Sequence, residues 1–251
     1  MMHEFKILTL NIHKGFSMSN RHFTLQRIKH CLQQSNSNIV FLQEVSGDNE
    51  KPKAEIPNWS DNNQFEFLAD SIWDHYAYGK NAIYQHGHHG NAILSELPFT
   101  KQHNFDVSLM SFSQRGILHG HLENGIHLLC VHLGLFESER RNQTAQLISY
   151  VKENIDASEP LIIAGDFNDW RKKAHLKMSQ ELQLSEVHQT MHGRVADTFP
   201  ALFPMLCMDR IYARGFKICS ADVMTHRDWR SVSDHCALTA DLQLPQDHKA
   251  V

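Results

Sequence analysis

The chain has 251 residues, of which 41% are apolar and 21% are charged, and its formal net charge is −4 with the histidines neutral. This composition favours a folded domain with a substantial core over a disordered chain. The basic residues are scattered apart from Arg171-Lys172-Lys173, which argues against a long basic surface for nucleic acid, and no run reaches the roughly 20 apolar residues that span a bilayer.

Short apolar runs rich in Ile, Leu and Val predict a series of strands. In chain order they are Phe5–Leu10, Ile39–Leu42, Ala92–Leu94, Ile126–Leu133, Leu161–Ala164, Arg210–Ala213 and Cys236–Leu242. Two amphipathic patterns between them predict helices at Thr24–Leu32 and Ser138–Asn154, the second with Arg140 and Arg141 on its solvated face. Strands mixed with helices, without repeats or Gly/Ser linkers, predict one α/β domain over residues 1–251.

Polar residues able to bind metal or phosphate follow several of these strands. Leu10 is followed by Asn11, Leu42 by Gln43-Glu44, Val131 by His132, and Ala164 by Gly165-Asp166-Phe167-Asn168. If these strand ends share one edge of the layered core, residues that are distant in the sequence converge in one cleft.

The carboxylates and amides of this set suit work on a phosphoester. Glu44 offers the hard oxygen ligand that Mg²⁺ or Mn²⁺ prefers, although an ordinary surface glutamate gives the same pattern. Asp166 and Asn168 can point the same way and offer a proton acceptor and an amide donor; an Asx-rich turn is the alternative. Asn11 suits either metal ligation through its oxygen or the capping of a turn.

The histidines of the set need acidic partners. His132 ends a run that we expect to be buried, where an unpaired imidazole is costly, so it requires a partner or a substrate. Ser233-Asp234-His235 can place an imidazole beside a carboxylate at a phosphate, whereas the plain alternative is a loop histidine. Asp209 either orients His235 and raises the pKa of its imidazole or simply starts a strand.

Taken in order, these motifs resemble those of the endonuclease/exonuclease/phosphatase superfamily, and the resemblance covers nearly the whole chain. The matching positions are Asn11, Glu44, Asn91, Arg115, His132, Gly-Asp-Phe-Asn at 165–168, Asp-Arg-Ile-Tyr at 209–212 and Ser-Asp-His at 233–235. The superfamily includes pancreatic-type DNase, abasic-site endonucleases, neutral sphingomyelinases, deadenylases and inositol-polyphosphate phosphatases. A bacterial subgroup with Asn-Ile-His-Lys-Gly-Phe and Gly-Asp-Phe-Asn-Asp-Trp motifs is especially similar.

The resemblance implies a DNase I-like fold, a four-layer α/β/β/α sandwich of two mixed sheets, and a hydrolase dependent on Mg²⁺ or Mn²⁺ that attacks phosphorus with an activated water. Glu44 is then the main metal ligand, with Asn11 close by and Asp234 at a second position. Asp166 orients or deprotonates the attacking water, and Asn168 holds the phosphate.

The resemblance also assigns the remaining site residues. His235, oriented by Asp209, stabilises charge on the phosphoryl oxygens or transfers a proton, and His132 contacts the phosphate or assists the leaving oxygen. In pancreatic-type DNase the counterpart of His132 has a glutamate partner that lacks a clear match here, and Asn91 is expected in that neighbourhood as a substrate contact. Arg115 adds a positive contact to the substrate or forms a structural salt bridge.

The sequence is compatible with three functions. A phosphodiesterase or nuclease follows from the commonest chemistry of the superfamily, although weak basicity argues against tight nonspecific binding of duplexes. A lipid-headgroup phosphodiesterase, sphingomyelinase-like or related to glycosylphosphatidylinositol anchors, is the alternative if the apolar segment Phe199–Met208 meets a membrane surface and is not core. A non-catalytic binding module would have lost a ligand or the base. The segments Gly47–Gln64 and Thr198–Met208 are expected at the mouth of the site.

Two further features bear on compartment and metal type. Five cysteines without a Cys-x-x-Cys pair predict free thiols in a reducing compartment. Glu4 and Lys6 interrupt the first apolar run, so we expect no signal peptide and a cytoplasmic protein without a transmembrane segment. The histidine-rich stretch 85–90 lacks the second ligand pair of a zinc site and is expected to be a polar loop.

Overall fold

The computed structural model describes residues 3–18, 22–49, 63–84, 87–110 and 113–245. Within these ranges the strands are β1 (Glu4–Asn11), β2 (Ile39–Asn49), β3 (His75–Tyr84), β4 (Gly87–Ser95), β5 (Phe99–Asp106), β6 (Gly116–Leu122), β7 (His127–His132), β8 (Leu161–Asp166), β9 (Ser185–Glu186), β10 (Asp209–Arg214), β11 (Lys217–Val223) and β12 (Leu238–Gln243). The helices are α1 (Leu25–Ser35), α2 (Gln64–Ala69), α3 (Glu137–Asn154), α4 (Lys173–Glu181), α5 (Val187–His192) and α6 (Arg227–Arg230), and a 3₁₀ turn spans His13–Gly15.

The strands form two six-stranded sheets. The first sheet has the order β11-β12-β1-β2-β4-β3 and the second the order β5-β6-β7-β8-β10-β9. The pairs β1–β2 and β7–β8 are parallel, and the other neighbours are antiparallel. Both sheets are therefore mixed, which confirms the predicted DNase I-like sandwich.

Alternating side chains explain the layers, because successive residues of a strand point to opposite faces. On β1, Ile7 joins a core shared by both sheets, whereas its neighbour Leu8 packs into a second core with α1 and α2. On β8, Ile162 joins the shared core and Ile163 packs into a third core with α3 and α4. Central strands buried on both faces give the continuous apolar runs seen in the sequence.

Each predicted strand and helix is present, but other strands were missed. β3, β5, β6, β9 and β11 lie away from the centre of the sheets or carry many polar residues, so their apolar periodicity is weak. The predicted solvation of Arg140 was wrong. Arg140 is buried, lies over the Trp170 ring, and donates hydrogen bonds to the carbonyls of Gly134 and Leu135.

Two boundaries also differ in ways that affect the site. β2 continues past Leu42 to Asn49, so Glu44 lies inside a strand and not after its end. The register shifts between Leu42 and Val45, and Glu44 has a φ of 55°, which marks a bulge that re-aims its side chain. Residues 87–90, expected in a loop, belong to β4, while 85 and 86 lie outside the described residues.

Other predictions are settled only in part. The five cysteines are free thiols, as expected. Among the described residues, every helix is too short or too polar to cross a bilayer. Of the segment expected at the mouth of the site, residues 50–62 lie outside the described ranges.

Candidate active site

The topology brings the predicted polar residues to one edge of the sandwich. Asn11 ends β1, and Glu44 lies in β2, the parallel neighbour of β1. In the second sheet, the ends of parallel strands β7 and β8 place His132 beside Asp166, and antiparallel β10 begins with Asp209 opposite Asp166. Each sheet thus delivers several polar side chains to the same edge.

Asp166 is the point on which these side chains converge. Its Oδ2 atom lies 3.1 Å from Asn11 Nδ2, 3.6 Å from His132 Nε2 and 3.9 Å from His235 Nε2. Its other oxygen accepts a 2.9 Å hydrogen bond from the backbone N–H of Asn168. Burial, assisted by the neighbouring Asp209, raises the pKa of Asp166 above its ordinary value despite the opposing effect of His235. Asp166 is therefore a stronger proton acceptor than an exposed aspartate.

Asn11 connects the two principal carboxylates. Its amide nitrogen faces both Asp166 and Glu44 Oε1, the latter at 3.4 Å, while its Oδ1 accepts a hydrogen bond from the N–H of His13 at 3.0 Å. Ser233 donates to the carbonyl of Asn11 at 2.6 Å, which ties the last loop to the end of β1. Asn11 therefore caps the following turn, as one of its two sequence interpretations predicts, while metal ligation through its oxygen stays a prediction.

Glu44 carries a carboxylate that stays ionised although it is partly buried in the site. Burial opposes its charge, but His132, Lys14, His89 and His13 outweigh burial and lower the pKa of Glu44 to about 2. Lys14 Nζ lies 3.7 Å from Glu44 Oε2. A carboxylate that stays ionised and is only loosely bonded by its neighbours has the lone pairs that a hard divalent cation requires.

His235 is held by Asp209. The Nδ1 atom of His235 lies 2.8 Å from Asp209 Oδ2, which also accepts a 2.6 Å hydrogen bond from the Thr198 hydroxyl. Burial disfavours a charged imidazole, but Asp209 and Asp166 outweigh burial and raise the pKa of His235 above its usual value. An N–H donated from Nδ1 to Asp209 fixes the ring so that Nε2 faces Asp166.

His132 has the opposite character. Burial lowers the pKa of His132 well below its usual value, and the charge of Arg115 adds to the effect. The Nε2 atom of His132 lies 3.6 Å from Asp166 Oδ2, and the charge of Glu44 opposes the effect of burial. Asn91 is fully buried, and its amide nitrogen donates to the carbonyls of Gly116 and Cys130. Asn91 therefore links the two sheets, which is a different placement from a contact with substrate.

The turn after β8 combines both interpretations of its sequence. Gly165 is needed because a Cβ atom there would lie 2.0 Å from the carbonyl oxygen of Val131. Asn168 adopts a left-handed φ of 50° and closes an Asx turn onto Asp166. Its side-chain amide donates one hydrogen bond to the carbonyl of Leu133 at 2.9 Å, and its predicted contact with phosphate stays a prediction.

Two predicted residues lie at the margins of the site. Asp234 Oδ1 is 3.6 Å from His13 Nδ1, and its contacts within the described residues do not include Glu44. Arg115 donates to the carbonyl of Gln114 and borders a cavity of about 420 Å³. In the described part of the chain Arg115 has no ion pair with an acidic side chain, and its charge lowers the pKa of His132.

Several residues beside the site were not assigned from the sequence. His13 and Lys14 begin the 3₁₀ turn that follows Ile12, and both have left-handed φ angles. Thr198 holds Asp209 through its hydroxyl and accepts the backbone N–H of Asp209 at 3.1 Å. The closeness of Lys14 to Asn11 in the sequence is a usable signal, whereas Thr198 is 11 residues from its partner and gives none.

The donor atoms around Asp166 are compatible with a cation. Ligand atoms of Asp166, Asp209 and His235 lie within 4.8 Å of one another. The hydrogen bond between Asp209 and His235 already engages one atom of each, and the Asn11 amide directs its nitrogen, not its oxygen, at Glu44 and Asp166. Carboxylate oxygens fit Mg²⁺ or Mn²⁺ better than a softer metal.

Two packed mixed sheets with carboxylates and imidazoles at one edge are typical of a phosphoester hydrolase family. The chain belongs to the Endonuclease/Exonuclease/phosphatase family, whose sequence profile matches residues 8–235, and members of this family are usually hydrolases of phosphoester bonds. It is 43% identical over 245 residues to the uncharacterized protein YbhP of Escherichia coli K12, covering 96% of each chain.

Solved structures share the fold. An endonuclease/exonuclease/phosphatase from Beutenbergia cavernae superposes with a TM-score of 0.78 at 18% identity, covering 97% of this chain and 72% of that chain. D. rerio TDP2 in complex with a single-strand DNA product superposes with a TM-score of 0.66 at 13% identity, covering 96% of this chain and 99% of that chain. At these identities the likeness establishes the architecture alone.

Proposed function

We propose that this protein is a Mg²⁺- or Mn²⁺-dependent phosphodiesterase that attacks phosphorus with a water activated by Asp166. One observation carries the proposal: Asn11, His132 and His235 all direct a nitrogen at Asp166 Oδ2, at 3.1, 3.6 and 3.9 Å. The two longer distances exceed a hydrogen bond, so neither imidazole nitrogen is committed to this oxygen.

Each side chain then has a defined task. Asp166 accepts the proton of the attacking water, because burial has raised the basicity of its carboxylate. His235, kept protonated by Asp209, donates from Nε2 to a phosphoryl oxygen and offsets the charge that develops there. His132, which is neutral, keeps one ring N–H that can donate a hydrogen bond to the phosphate or to the leaving oxygen.

Glu44, with Asp166 nearby, is the residue that would hold the divalent ion, and Asn11 would join it by turning its amide oxygen, which accepts from the His13 N–H here, toward Glu44. The ionised state of Glu44 and the loose contacts of its oxygens support this assignment. When bound, Mg²⁺ or Mn²⁺ supplies Lewis-acid stabilisation of the phosphoryl oxygens. Lys14, 3.7 Å from Glu44, keeps the carboxylate ionised before a cation arrives.

The substrate class is proposed as a phosphodiester, with nucleic acid as the first candidate. The D. rerio TDP2 structure holds a single-strand DNA product on the same fold, which supports a nucleic-acid substrate. The net charge of −4 and the single short basic run argue for a short or single-stranded substrate over a long duplex.

The test is hydrolysis of bis(p-nitrophenyl) phosphate by the purified protein with Mg²⁺, Mn²⁺ or a chelator. We expect metal-stimulated turnover and a loss of at least about a hundredfold in kcat for Asp166→Asn, as for removal of a general base. The matched control is Asp222→Asn, an exposed aspartate on the edge strand β11, which should retain full activity. Equal rates for Asp166→Asn and wild type would refute the role of Asp166 as the base. Turnover that a chelator does not reduce would refute the dependence on metal.

A lipid-headgroup phosphodiester is the second candidate, favoured by an apolar loop beside the site. The loop exposes three large apolar side chains, Leu202, Phe203 and Met205. The N–H of Ala201 donates to the Asp234 carbonyl at 2.7 Å, and the Phe199 ring centroid lies 5.0 Å from that of His235. The loop is thus fixed next to the catalytic imidazole, with its apolar tip in solvent.

Vesicles distinguish the two candidates. If a lipid is the substrate, vesicles of phosphatidylcholine and phosphatidylglycerol should bind the protein and release headgroup phosphate, and Met205→Ser should weaken both effects while sparing the soluble ester. Met191→Ser, on α5, is the matched control because Met191 is also exposed. If the protein releases no headgroup from vesicles but hydrolyses single-stranded DNA, nucleic acid is the substrate class.

A further inference from the structure

A second cluster of imidazoles lies in the second sheet, at the other end of β7 from the candidate active site. β7 begins at His127 and ends at His132, so the two sites are separated along this strand by five residues, about 17 Å at the rise of an extended chain. Phosphoester hydrolysis as proposed above makes no use of the second cluster, and the inference below does not depend on that function.

Three histidines share one face of adjacent strands. His119 and His121 are two apart on β6 and therefore point to the same side of the sheet. His127 on β7 lies directly opposite His121 in the antiparallel register. Cβ atoms of such opposed residues are about 5 Å apart, so the three imidazoles are forced together by the backbone alone.

The rings are in direct contact. His119 Nε2 lies 2.9 Å from His127 Nδ1, and the rings of His121 and His127 stack with centroids 4.2 Å apart. Burial and the neighbouring imidazoles lower the pKa of His119 to about 4, and burial also lowers the pKa of His127. His119 and His127 are therefore uncharged at neutral pH, which is the state in which imidazole binds a metal.

Further side chains orient the rings from outside. The Tyr150 hydroxyl lies 2.9 Å from His119 Nδ1, and Glu159 Oε2 lies 3.3 Å from His127 Nε2. An N–H of His127 donated to Glu159 leaves Nδ1 as the atom with a lone pair, directed at His119. Carboxylate and hydroxyl partners on the far nitrogen are what metal-binding histidines usually have.

His121 has a ring nitrogen that makes no hydrogen bond within the described part of the chain. Its Nε2 is buried and lacks a hydrogen-bond partner there, while its Nδ1 lies 3.1 Å from the Thr100 hydroxyl. Burial of a polar atom without a partner is unfavourable, so a ligand that engages His121 Nε2 would stabilise the cluster.

We propose that His119, His121 and His127 form a binding site for a transition-metal ion of the Zn²⁺ class. At about 2.0–2.1 Å per bond, two tetrahedral ligand nitrogens are about 3.4 Å apart, so His119 and His127 must separate by roughly 0.5 Å. His121 must turn out of its stack on His127, because two parallel rings cannot both direct a lone pair at one ion. A side chain moves to another rotamer on a fast timescale, and the adjoining cavity of about 320 Å³ provides the room.

Three protein ligands leave a fourth position for water or another small ligand. The residues that line the cavity include Lys101, Tyr150 and Asn154, which are polar and suit a wet site. Imidazole ligands favour Zn²⁺, Cu²⁺ and Ni²⁺ over Mg²⁺, whereas the oxygen-rich candidate active site has the reverse preference. The two sites should thus differ in the metals that they select.

The test is a titration of chelator-treated protein with Co²⁺, followed by its visible absorption, and competition with Zn²⁺. Wild type should show one absorbing Co²⁺ that Zn²⁺ displaces and that excess Mg²⁺ does not. His119→Gln and His121→Gln should each weaken binding at least about tenfold. His127 is left intact, because it is the most buried of the three and its loss would perturb the sheet.

Two control variants separate this site from its surroundings. His30→Gln removes an exposed histidine on α1, which packs on the first sheet, and should leave Co²⁺ binding unchanged. Glu44→Gln alters the candidate active site and should also leave the absorbing Co²⁺ in place. An absent Co²⁺ signal in wild type, unchanged affinity in both cluster variants, or loss of the signal in Glu44→Gln alone would each overturn the proposal.

Discussion

Replacing Asp209 with asparagine should disable His235 while keeping the shape of the side chain. Asp209 is fully buried, and its Oδ2 accepts from both His235 Nδ1 and the Thr198 hydroxyl. Its Oδ1 is buried without a hydrogen-bond partner among the described residues. An asparagine that keeps its oxygen toward His235 must turn its amide N–H groups into that unpartnered position. The substitution therefore removes a charge and adds buried donors without acceptors.

The size of the effect follows from the hydrogen bond to a charged group. Such a bond contributes about 1.5–3 kcal/mol, and each 1.4 kcal/mol is about tenfold in rate, which gives a loss of about tenfold to about 150-fold in kcat. Most of the loss should appear in kcat and little in KM, since the charge on His235 matters most when charge develops on the phosphoryl oxygens. Unpaired amide hydrogens should also cost about 1–3 kcal/mol of folding stability.

The assay is the steady-state rate on bis(p-nitrophenyl) phosphate with saturating Mn²⁺, together with the urea midpoint of each variant. Thr198→Val is an informative companion, because it removes one hydrogen bond to Asp209 and leaves the charge in place. It should lose less activity than Asp209→Asn. A folded Asp209→Asn protein with kcat within about threefold of wild type would refute the role of this pair, because that change is under 1 kcal/mol.

Three further predictions concern metal, backbone and pH. Glu44→Gln should raise the Mn²⁺ concentration for half-maximal activity by about tenfold or more, measured by metal titration, and an unchanged value would exclude Glu44 as ligand. Gly165→Ala should destabilise the fold by at least about 2 kcal/mol in urea, since its Cβ would meet the Val131 carbonyl at 2.0 Å, whereas Gly125→Ala meets no neighbour and should cost less. Burial raises the pKa of Glu186 to about 7, so its contribution to stability is full below about pH 4.5 and is lost as pH rises through 7. Glu186→Gln should therefore gain stability on wild type between pH 5 and pH 8, by up to about 3 kcal/mol, and a pH-independent difference would contradict this.

The central strands could be predicted from the sequence because they are buried on both faces. β7 and β8 contain the unbroken apolar runs Leu128–Val131 and Leu161–Ala164, and the ends of these strands mark the edge where the site lies. Outer strands such as β5, with most of its residues exposed or half-buried, lack that signal. Their pairing depends on partners that are remote in the chain, which a local pattern does not contain.

The candidate site was predictable as a set of residues but not as a set of distances. Motif order indicated Asn11, Glu44, Asp166 and His235. The bulge that aims Glu44 arises from a register shift between β2 and β4, which depends on both strands at once. Likewise, the sheet-bridging placement of Asn91 depends on backbone carbonyls of the opposite sheet, which no motif around Asn91 specifies.

The two hydrogen bonds that define the candidate site both cross between the sheets. Asn11, at the end of β1, donates to Asp166 on β8, and His235, before β12, pairs with Asp209 on β10. Hydrogen bonds weaken steeply with distance and angle, so a slide of one sheet over the other by about 1 Å would break both. The close-packed core between the sheets and the buried amide of Asn91 oppose such a slide. Packing far from the phosphoester therefore sets the geometry on which its hydrolysis depends.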